Sequence, residues 1–104
     1  MDTTQQTAFS IISSAGDAQE MILKALSVAR TGDYAQTEKL MAEAETILVK
    51  AHRLQTDLIK KEADGAKSEF SVLLVHAQDY VMNAILAKKL VSEMILMYKE
   101  LKKQ

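Results

Sequence analysis

The sequence contains no proline and only three glycines, so very few positions are suited to ending a helix. Two of the glycines, Gly32 and Gly65, separate three stretches of similar length. Each stretch carries apolar residues at helical spacing. Alanine, leucine, lysine, glutamate and methionine dominate, and all of them favour helix. The sequence therefore predicts an all-α fold built from few, long helices.

The helix boundaries follow from capping residues. Asp33 and Ser68 are suitable N-caps, and Gly32 and Gly65 suit the left-handed position that follows a helix C-terminus. Because the turns are very short, successive helices must run antiparallel, which gives an up-down-up three-helix bundle in a single domain over residues 1–104. The predicted helices cover about 3–31, 33–64 and 68–103.

Apolar spacing also predicts which face of each helix is buried. In the first helix, Ser13–Asp17 interrupts this face and predicts either a kink or a small residue that admits a close neighbouring helix. The predicted buried residues are Phe9, Ile12, Ala15, Leu23, Leu26 and Ala29 in the first helix; Tyr34, Met41, Ala44, Leu48, Ala51 and Leu58, widened by Leu40, Ile47 and Leu54, in the second; and Leu73, Ala77, Tyr80, Ala84, Val91, Met94, Tyr98 and Leu101 in the third.

The third helix carries more apolar surface than one bundle can cover. Val75, Met82, Leu86 and Leu90 lie on the side away from its predicted seam, so the stretch 72–87 is apolar nearly all round. A helix of that kind is normally buried on every side. We therefore expect the chain to associate with itself around this helix.

Four polar residues interrupt this apolar stretch. At about 100° per residue, His76, Asp79 and Asn83 fall within an arc of roughly 60°, on the edge outside the intramolecular seam. Gln78 points elsewhere. The sequence thus places a histidine and an aspartate one turn apart beside a predicted subunit boundary.

Composition excludes several classes of partner and cofactor. Thirteen basic and fourteen acidic residues are spread along the chain, without a basic stripe for nucleic acid or an anionic membrane. There is no cysteine, and no apolar run approaches the roughly 20 residues that span a bilayer. The polar N-terminus shows no signal-peptide pattern. We expect a cytoplasmic location without membrane insertion.

The titratable residues leave several possibilities open. His76 is either a hydrogen-bonded core histidine or a nucleophile, whereas His52 is expected to be structural. Asp79 is a partner for His76, a metal ligand or a solvated side chain. The chain lacks Glu-x-x-His, His-Glu-x-x-His, G-x-S-x-G and phosphate-binding glycine motifs. A reaction that needs only one imidazole is phosphoryl relay between proteins.

The sequence also resembles a known family over nearly its whole length. Residues 75–82, VHAQDYVM, closely resemble the V-H-[AG]-Q-D-H-L-M signature of the enzyme IIA component of the lactose/cellobiose-type (lactose/N,N′-diacetylchitobiose) sugar phosphotransferase system. Residues 51–59, AHRLQTDLI, and 62–65, EADG, are similar to its A-H-x-x-Q-T-x-L-I…E-A-x-G pattern. Residues 15–18, AGDA, match its A-G-[DN]-A.

This resemblance implies a fold, a reaction and partners. It implies a homotrimer of three-helix bundles, nine helices in all, in which His76 accepts a phosphoryl group from the phosphocarrier protein HPr on its tele nitrogen. The group then passes to a cysteine of the cognate enzyme IIB and on to a disaccharide taken up through enzyme IIC. Asp79 is implied to lie near the trimer axis with a divalent cation, for which Mg²⁺ suits the hard oxygen ligands. The chain departs from the family where its usual second histidine is Tyr80.

Two other functions compete with this one. The first alternative is a non-catalytic helical adaptor whose third helix only oligomerises. The second is a two-component histidine phosphotransfer domain, but His76 lacks the His-x-x-Lys-Gly pattern of that class. Within the resembled family, the residues of these motifs are more similar to the cellobiose/chitobiose branch than to the lactose branch.

Overall fold

The computed structural model describes residues 3–65 and 72–103, which form three α-helices. Helix α1 spans Thr3–Thr31, α2 spans Tyr34–Ala63 and α3 spans Val72–Lys102. The predicted all-α fold is confirmed. The predicted N-cap Ser68 lies outside the described residues. None of the helices, over the part of the chain that the structure describes, combines the length and apolar character needed to cross a lipid bilayer.

The turn between α1 and α2 forms as its residue types predict. Gly32 has φ +93°, a left-handed conformation that side chains other than glycine rarely adopt, and its N–H donates to the Ala29 carbonyl at 3.0 Å. Asp33 then caps α2, because its side chain accepts a hydrogen bond from the N–H of Gln36 at 3.1 Å. With two residues between the helices, α2 must run back along α1.

The end of α2 is also the one predicted. Gly65 adopts φ +99°, and its N–H donates to the Glu62 carbonyl at 3.1 Å. The N–H of Asp64 donates to the Lys60 carbonyl at 2.9 Å. These bonds satisfy carbonyl groups that the last turn of a helix leaves without an intrahelical partner.

Contacts between α2 and α3 show that these two helices are antiparallel. Lys88 pairs with Glu45, and Lys99 pairs with Glu38 at 3.4 Å. Residue numbers therefore fall along α2 as they rise along α3. Together with the short α1–α2 turn, this pairing confirms the up-down-up arrangement.

Helix α1 forms the centre of the packing. It contacts both α2 and α3 extensively, whereas α2 and α3 contact each other much less. Most of its buried side chains are alanines, which allow neighbouring helix backbones to approach closely. The buried residues of α1 are Ala8, Ile11, Ala15, Ala18, Ile22, Ala25 and Ala29.

Two residues predicted to be buried in α1 are instead on its surface. Phe9 is 49% exposed and Leu23 is 46% exposed. The alanine stripe beside them is buried instead, because α2 and α3 approach α1 closely only where the side chains are small. Leu26 and Ile12 pack against the edge of the core, as predicted in part.

The interruption at 13–17 does not break the helix. The structure assigns α1 as continuous through this segment, and Gly16 lies against the ring of Tyr80 on α3. A Cβ added at Gly16 would lie 3.6 Å from a ring carbon of Tyr80. Of the two predicted alternatives, the small residue that admits a close neighbour is the one observed.

The predicted seam of α3 is correct in its first half and wrong near its end. Ala77, Ala84 and Val91 are buried, but Met94 is 40% exposed and Leu101 is 62% exposed. Val81 and Ile95 are also buried, because the inner face of α3 packs against α1 and α2 together. In α2, Leu40, Ala44, Leu48 and Ala51 are buried as predicted, and Tyr34, Met41, Ile47, Leu54 and Leu58 are half-buried.

A polar pair joins α2 to α3 beneath the surface. The side-chain amide of Gln55, which is only 5% exposed, donates a hydrogen bond to the side-chain oxygen of Gln78. A buried amide is costly unless it is paired. This contact therefore fixes the register of two helices that otherwise touch little.

We predict that Asp33→Ala lowers the free energy of unfolding by about 1 kcal/mol, because the N–H of Gln36 loses its acceptor. Urea denaturation at one fixed protein concentration measures the change, since self-association would make stability concentration-dependent. Asp33→Asn keeps a side-chain oxygen and is the matched control. Equal midpoints for the alanine and asparagine variants would contradict the capping role.

We further predict that Gln78→Leu costs about 1–3 kcal/mol of stability, because it leaves the buried Gln55 amide without a partner. The double variant Gln55→Leu/Gln78→Leu should recover part of this loss, since no polar group is then left unpaired. A double-mutant cycle in urea gives the coupling between the two amides. Additive losses in the cycle would show that the pair contributes nothing.

Candidate functional site

One side of α3 is left without cover by the rest of the bundle. Among the large apolar side chains on this side, five are each between 43% and 58% exposed. At about 100° per residue they share an arc of about 80°. We call this the uncovered face of α3, and it consists of Val75, Met82, Leu86, Leu90 and Met97. Contiguous apolar surface of this kind usually marks an interaction site.

His76 lies at the edge of the uncovered face, on the side nearer to α1. Its side chain is exposed, so the interpretation of His76 as a core histidine is wrong. Its imidazole contacts the ring of Tyr80, with 4.7 Å between the ring centroids and 86° between the ring planes. The two residues are one turn apart on α3, a spacing at which side chains meet.

Tyr80 links this histidine to the neighbouring helix. Its ring packs against the core and lies beside Gly16 of α1. The sequence singled out both residues, Gly16 as a break in a helix and Tyr80 as a departure from a family pattern, but gave no sign that they touch. A glycine in a helix interior opposite an aromatic residue on another helix is the signal that links them.

Asp79 and Asn83 are exposed on the same edge as His76, as the helical arc predicted. Asp79 falls within the arc of the uncovered face itself. It lies between Val75 and Met82, so a carboxylate is set among apolar side chains. Any second copy that covered this face would also cover Asp79.

The structure of one chain supplies a single carboxylate where a cation was predicted. Residues 3–65 and 72–103 contain no group of three or more histidine, cysteine, aspartate or glutamate side chains that could hold a metal ion. Carboxylate oxygens are suitable ligands for Mg²⁺, so the donor type at Asp79 fits that ion.

Gln78 and His52 lie away from this edge. Gln78 is directed towards α2, where it accepts the hydrogen bond from Gln55. His52 is exposed and lines a groove of about 200 Å³ between α2 and α3, beside Ile85 and Lys88. Those two residues are more than two turns beyond His76 along α3, so the structure does not bring the two histidines together.

The arrangement suits a reaction between proteins. An exposed imidazole on a helix face is accessible to a macromolecule, and its unprotonated nitrogen is nucleophilic. The uncovered face beside it offers apolar surface for contact with another chain. Both features lie on one helix, which holds them at a fixed separation.

Comparison with known proteins gives a consistent family. Residues 6–99 match the family described as the lactose/cellobiose-specific IIA subunit of the phosphotransferase system. A lactose-specific EIIA component from Streptococcus mutans is 45% identical over 91 residues, covering 88% of each chain. A lichenan-specific enzyme IIA component from Bacillus subtilis is 38% identical, and the match covers 96% of this chain and 91% of the relative's length.

Solved structures agree with this result. The crystal structure of a cellobiose-specific enzyme IIA from Bacillus anthracis superimposes with a TM-score of 0.96 at 42% identity. The match covers all of this chain and 95% of that protein's chain. One solution structure, of the IIA(chitobiose)–HPr complex of Escherichia coli, has a TM-score of 0.84 at 32% identity and covers 98% of this chain and 99% of its own. The chain therefore belongs to the lactose/cellobiose-specific IIA family and is a phosphotransferase component of the sugar phosphotransferase system.

Proposed function

We propose that this chain is a phosphocarrier in which His76 accepts a phosphoryl group from one protein and passes it to another. The observation that carries the proposal is the exposed position of His76 on α3, within the VHAQDYVM segment that resembles the family signature. Family membership supplies the reaction class. His52, the other histidine, does not lie in that signature.

The chemistry requires little beyond a positioned imidazole. The tele nitrogen of His76 forms a bond to phosphorus as the bond between phosphorus and the donor's histidine breaks, so no water or redox partner is consumed. The transition state is loose, and the reacting atoms lie roughly in line. Most of the rate enhancement then comes from orientation of the two rings. In the second step a thiolate of the acceptor forms a bond to phosphorus as the bond between phosphorus and the tele nitrogen of His76 breaks, so the imidazole is the leaving group.

We propose HPr as the donor and the cognate enzyme IIB as the acceptor. The E. coli relative was solved in complex with HPr, and it covers nearly the whole of this chain. The resemblance to the family implies that the accepting group is a cysteine thiolate of enzyme IIB. From there the group would reach the sugar during its uptake through enzyme IIC. A cytoplasmic location belongs to the same proposal.

We also propose that the working form is a homotrimer. The uncovered face of α3 carries five large, exposed apolar side chains, which favours burial against other copies of the chain. Three copies that pack these faces around one axis would form a nine-helix bundle. His76 would then lie beside a boundary between subunits, because it is at the edge of that face.

A magnesium ion at the trimer axis completes this proposal. Asp79 falls within the uncovered face, so a three-fold arrangement around that face would bring three carboxylates close together. Like charges at short range repel strongly unless they are protonated or bound to a cation. Bound Mg²⁺ would supply positive charge and oxygen coordination there, and we assign it a structural role rather than a catalytic one.

The sugar is proposed to be a β-linked disaccharide, cellobiose or N,N′-diacetylchitobiose in preference to lactose. The residues at 51–59 and 75–82 are more similar to the motifs of the cellobiose/chitobiose branch than to those of the lactose branch, which supports this choice. Relatives named for cellobiose and for lactose match the chain at similar identity, 42% and 45%. Sugar specificity is expected to reside mainly in the membrane component. The enzyme IIB that accepts the phosphoryl group is therefore the protein that can identify the sugar branch.

We predict that incubation with phosphoenolpyruvate, enzyme I and HPr places acid-labile, base-stable phosphate on His76. His76→Ala should abolish this labelling, while His52→Ala, which removes the other exposed histidine, should label like the wild type. Labelled chain is then mixed with enzyme IIB from each sugar branch, and the faster acceptor identifies the branch. Undiminished labelling of His76→Ala would contradict His76 as the acceptor, whereas absence of labelling in the wild type would favour the non-catalytic adaptor.

We predict that Asp79→Leu keeps or raises trimer stability and abolishes cation binding, because it removes carboxylates from the proposed axis. Sedimentation equilibrium measures the first effect, and Mg²⁺ titration by calorimetry measures the second. Asp17→Leu, at an exposed aspartate of α1, is the control and should leave cation binding unchanged. Dissociation of the Asp79→Leu trimer would contradict an axial position.

A further inference from the structure

Tyr80 makes the contact that orients His76. The imidazole and phenol rings meet nearly at right angles, 86° between planes, with centroids 4.7 Å apart. This edge-to-face geometry is the one that aromatic pairs prefer. In residues 3–65 and 72–103, the structure gives the His76 side chain no hydrogen bond or ion pair beside this ring contact.

Tyr80 also meets the neighbouring helix. Its ring is half-buried against the core and lies beside Gly16 of α1. The ring therefore contacts a histidine on its own helix and lies beside a glycine on the next. A β-carbon at position 16 would make ordinary contact at 3.6 Å, but a longer side chain would extend into the space of the ring.

An exposed imidazole without this support would rotate freely about two bonds. Rotation sweeps the reactive nitrogen over several ångströms, and a misplacement of about 1 Å can cost as much as a hundredfold in rate. A phosphoryl acceptor therefore gains from a neighbour that restricts its ring. Tyr80 supplies that restriction without a hydrogen bond that would occupy a nitrogen.

We infer that Tyr80, supported by Gly16, is the positioning residue that orients the imidazole of His76 for phosphoryl transfer. This inference rests on the proposed function. The phenol ring acts through shape and ring contact, so its hydroxyl is dispensable. Tyr80 acts on His76 and does not itself touch the phosphoryl group.

Two substitutions at position 80 distinguish the effect of the aromatic ring from the effect of apolar side-chain volume. Tyr80→Phe keeps the ring and should transfer phosphoryl groups from phospho-HPr within about twofold of the wild-type rate constant. Tyr80→Leu keeps apolar volume against Gly16 but removes the ring. It should lower the rate constant about tenfold while leaving the KM for phospho-HPr nearly unchanged. A defect of folding or docking would raise KM instead.

Substitutions at Gly16 test the same contact without changing α3. Gly16→Ala should be neutral, because its β-carbon makes ordinary contact with the Tyr80 ring. Gly16→Leu should displace the ring and reproduce the kinetic pattern of Tyr80→Leu. Sedimentation of every variant establishes that the oligomer is intact before rates are compared.

NMR of the His76 ring protons gives a readout that does not depend on catalysis. The Tyr80 ring current shifts these protons, so Tyr80→Leu and Gly16→Leu should move them towards random-coil positions while Tyr80→Phe and Gly16→Ala leave them in place. Unchanged His76 shifts in Tyr80→Leu, or an unchanged rate constant in that variant, would overturn the inference and leave the phosphocarrier function standing. Absence of labelling on wild-type His76 would overturn both.

Discussion

Close packing of α1 against both of its neighbours is the constraint on which the rest of the structure depends. The buried stripe of α1 consists mostly of alanines, so α2 and α3 approach its backbone closely. Side chains of this size leave little room for large residues, and Phe9 and Leu23 remain on the surface for that reason. Because α1 lies between them, α2 and α3 meet only over a limited area.

The limited α2–α3 contact leaves one side of α3 without cover. Three polar contacts in the described residues join these helices at the surface or just below it: the Gln55–Gln78 pair and the ion pairs of Lys88 with Glu45 and of Lys99 with Glu38. None of these contacts shields the opposite side of α3, where the uncovered face lies. In the proposed homotrimer, α3 would pack inwards on α1 and outwards on further copies, so only its edges would remain accessible to other proteins. His76 lies on one of those edges.

Much of the fold follows from the sequence because its determinants are local. Gly32 and Asp33 end one helix and begin the next through their own conformational and hydrogen-bonding properties, and the structure agrees. The buried face of α1 was partly wrong because two neighbouring stripes both satisfy helical spacing, and spacing alone does not say which one the other helices approach. That choice depends on the size of side chains from three helices at once.

The candidate site also has features that the sequence predicts and features that it does not. The shared edge of His76, Asp79 and Asn83 follows from the geometry of one helix, and the structure places all three there. The contacts of Tyr80 with Gly16 and of Gln78 with Gln55 could not be derived from periodicity, because each depends on the rotation of one helix relative to another. The proposal that His76 is the reactive residue rests on the resemblance to a family motif.

The exposed position of His76 is consistent with the function of a phosphocarrier. A carrier must present the same nitrogen first to a donor and then to an acceptor, so groups that enclosed the imidazole would obstruct both. Each partner can bring its own charge stabilisation, whereas the carrier need only hold the ring in a fixed orientation. In the inference drawn above, the Tyr80 ring would hold the imidazole from one side and leave its outer side open. A chain with two histidines and no cysteine could then take part in group transfer by holding one imidazole in position, while its partner proteins contribute the other reacting groups.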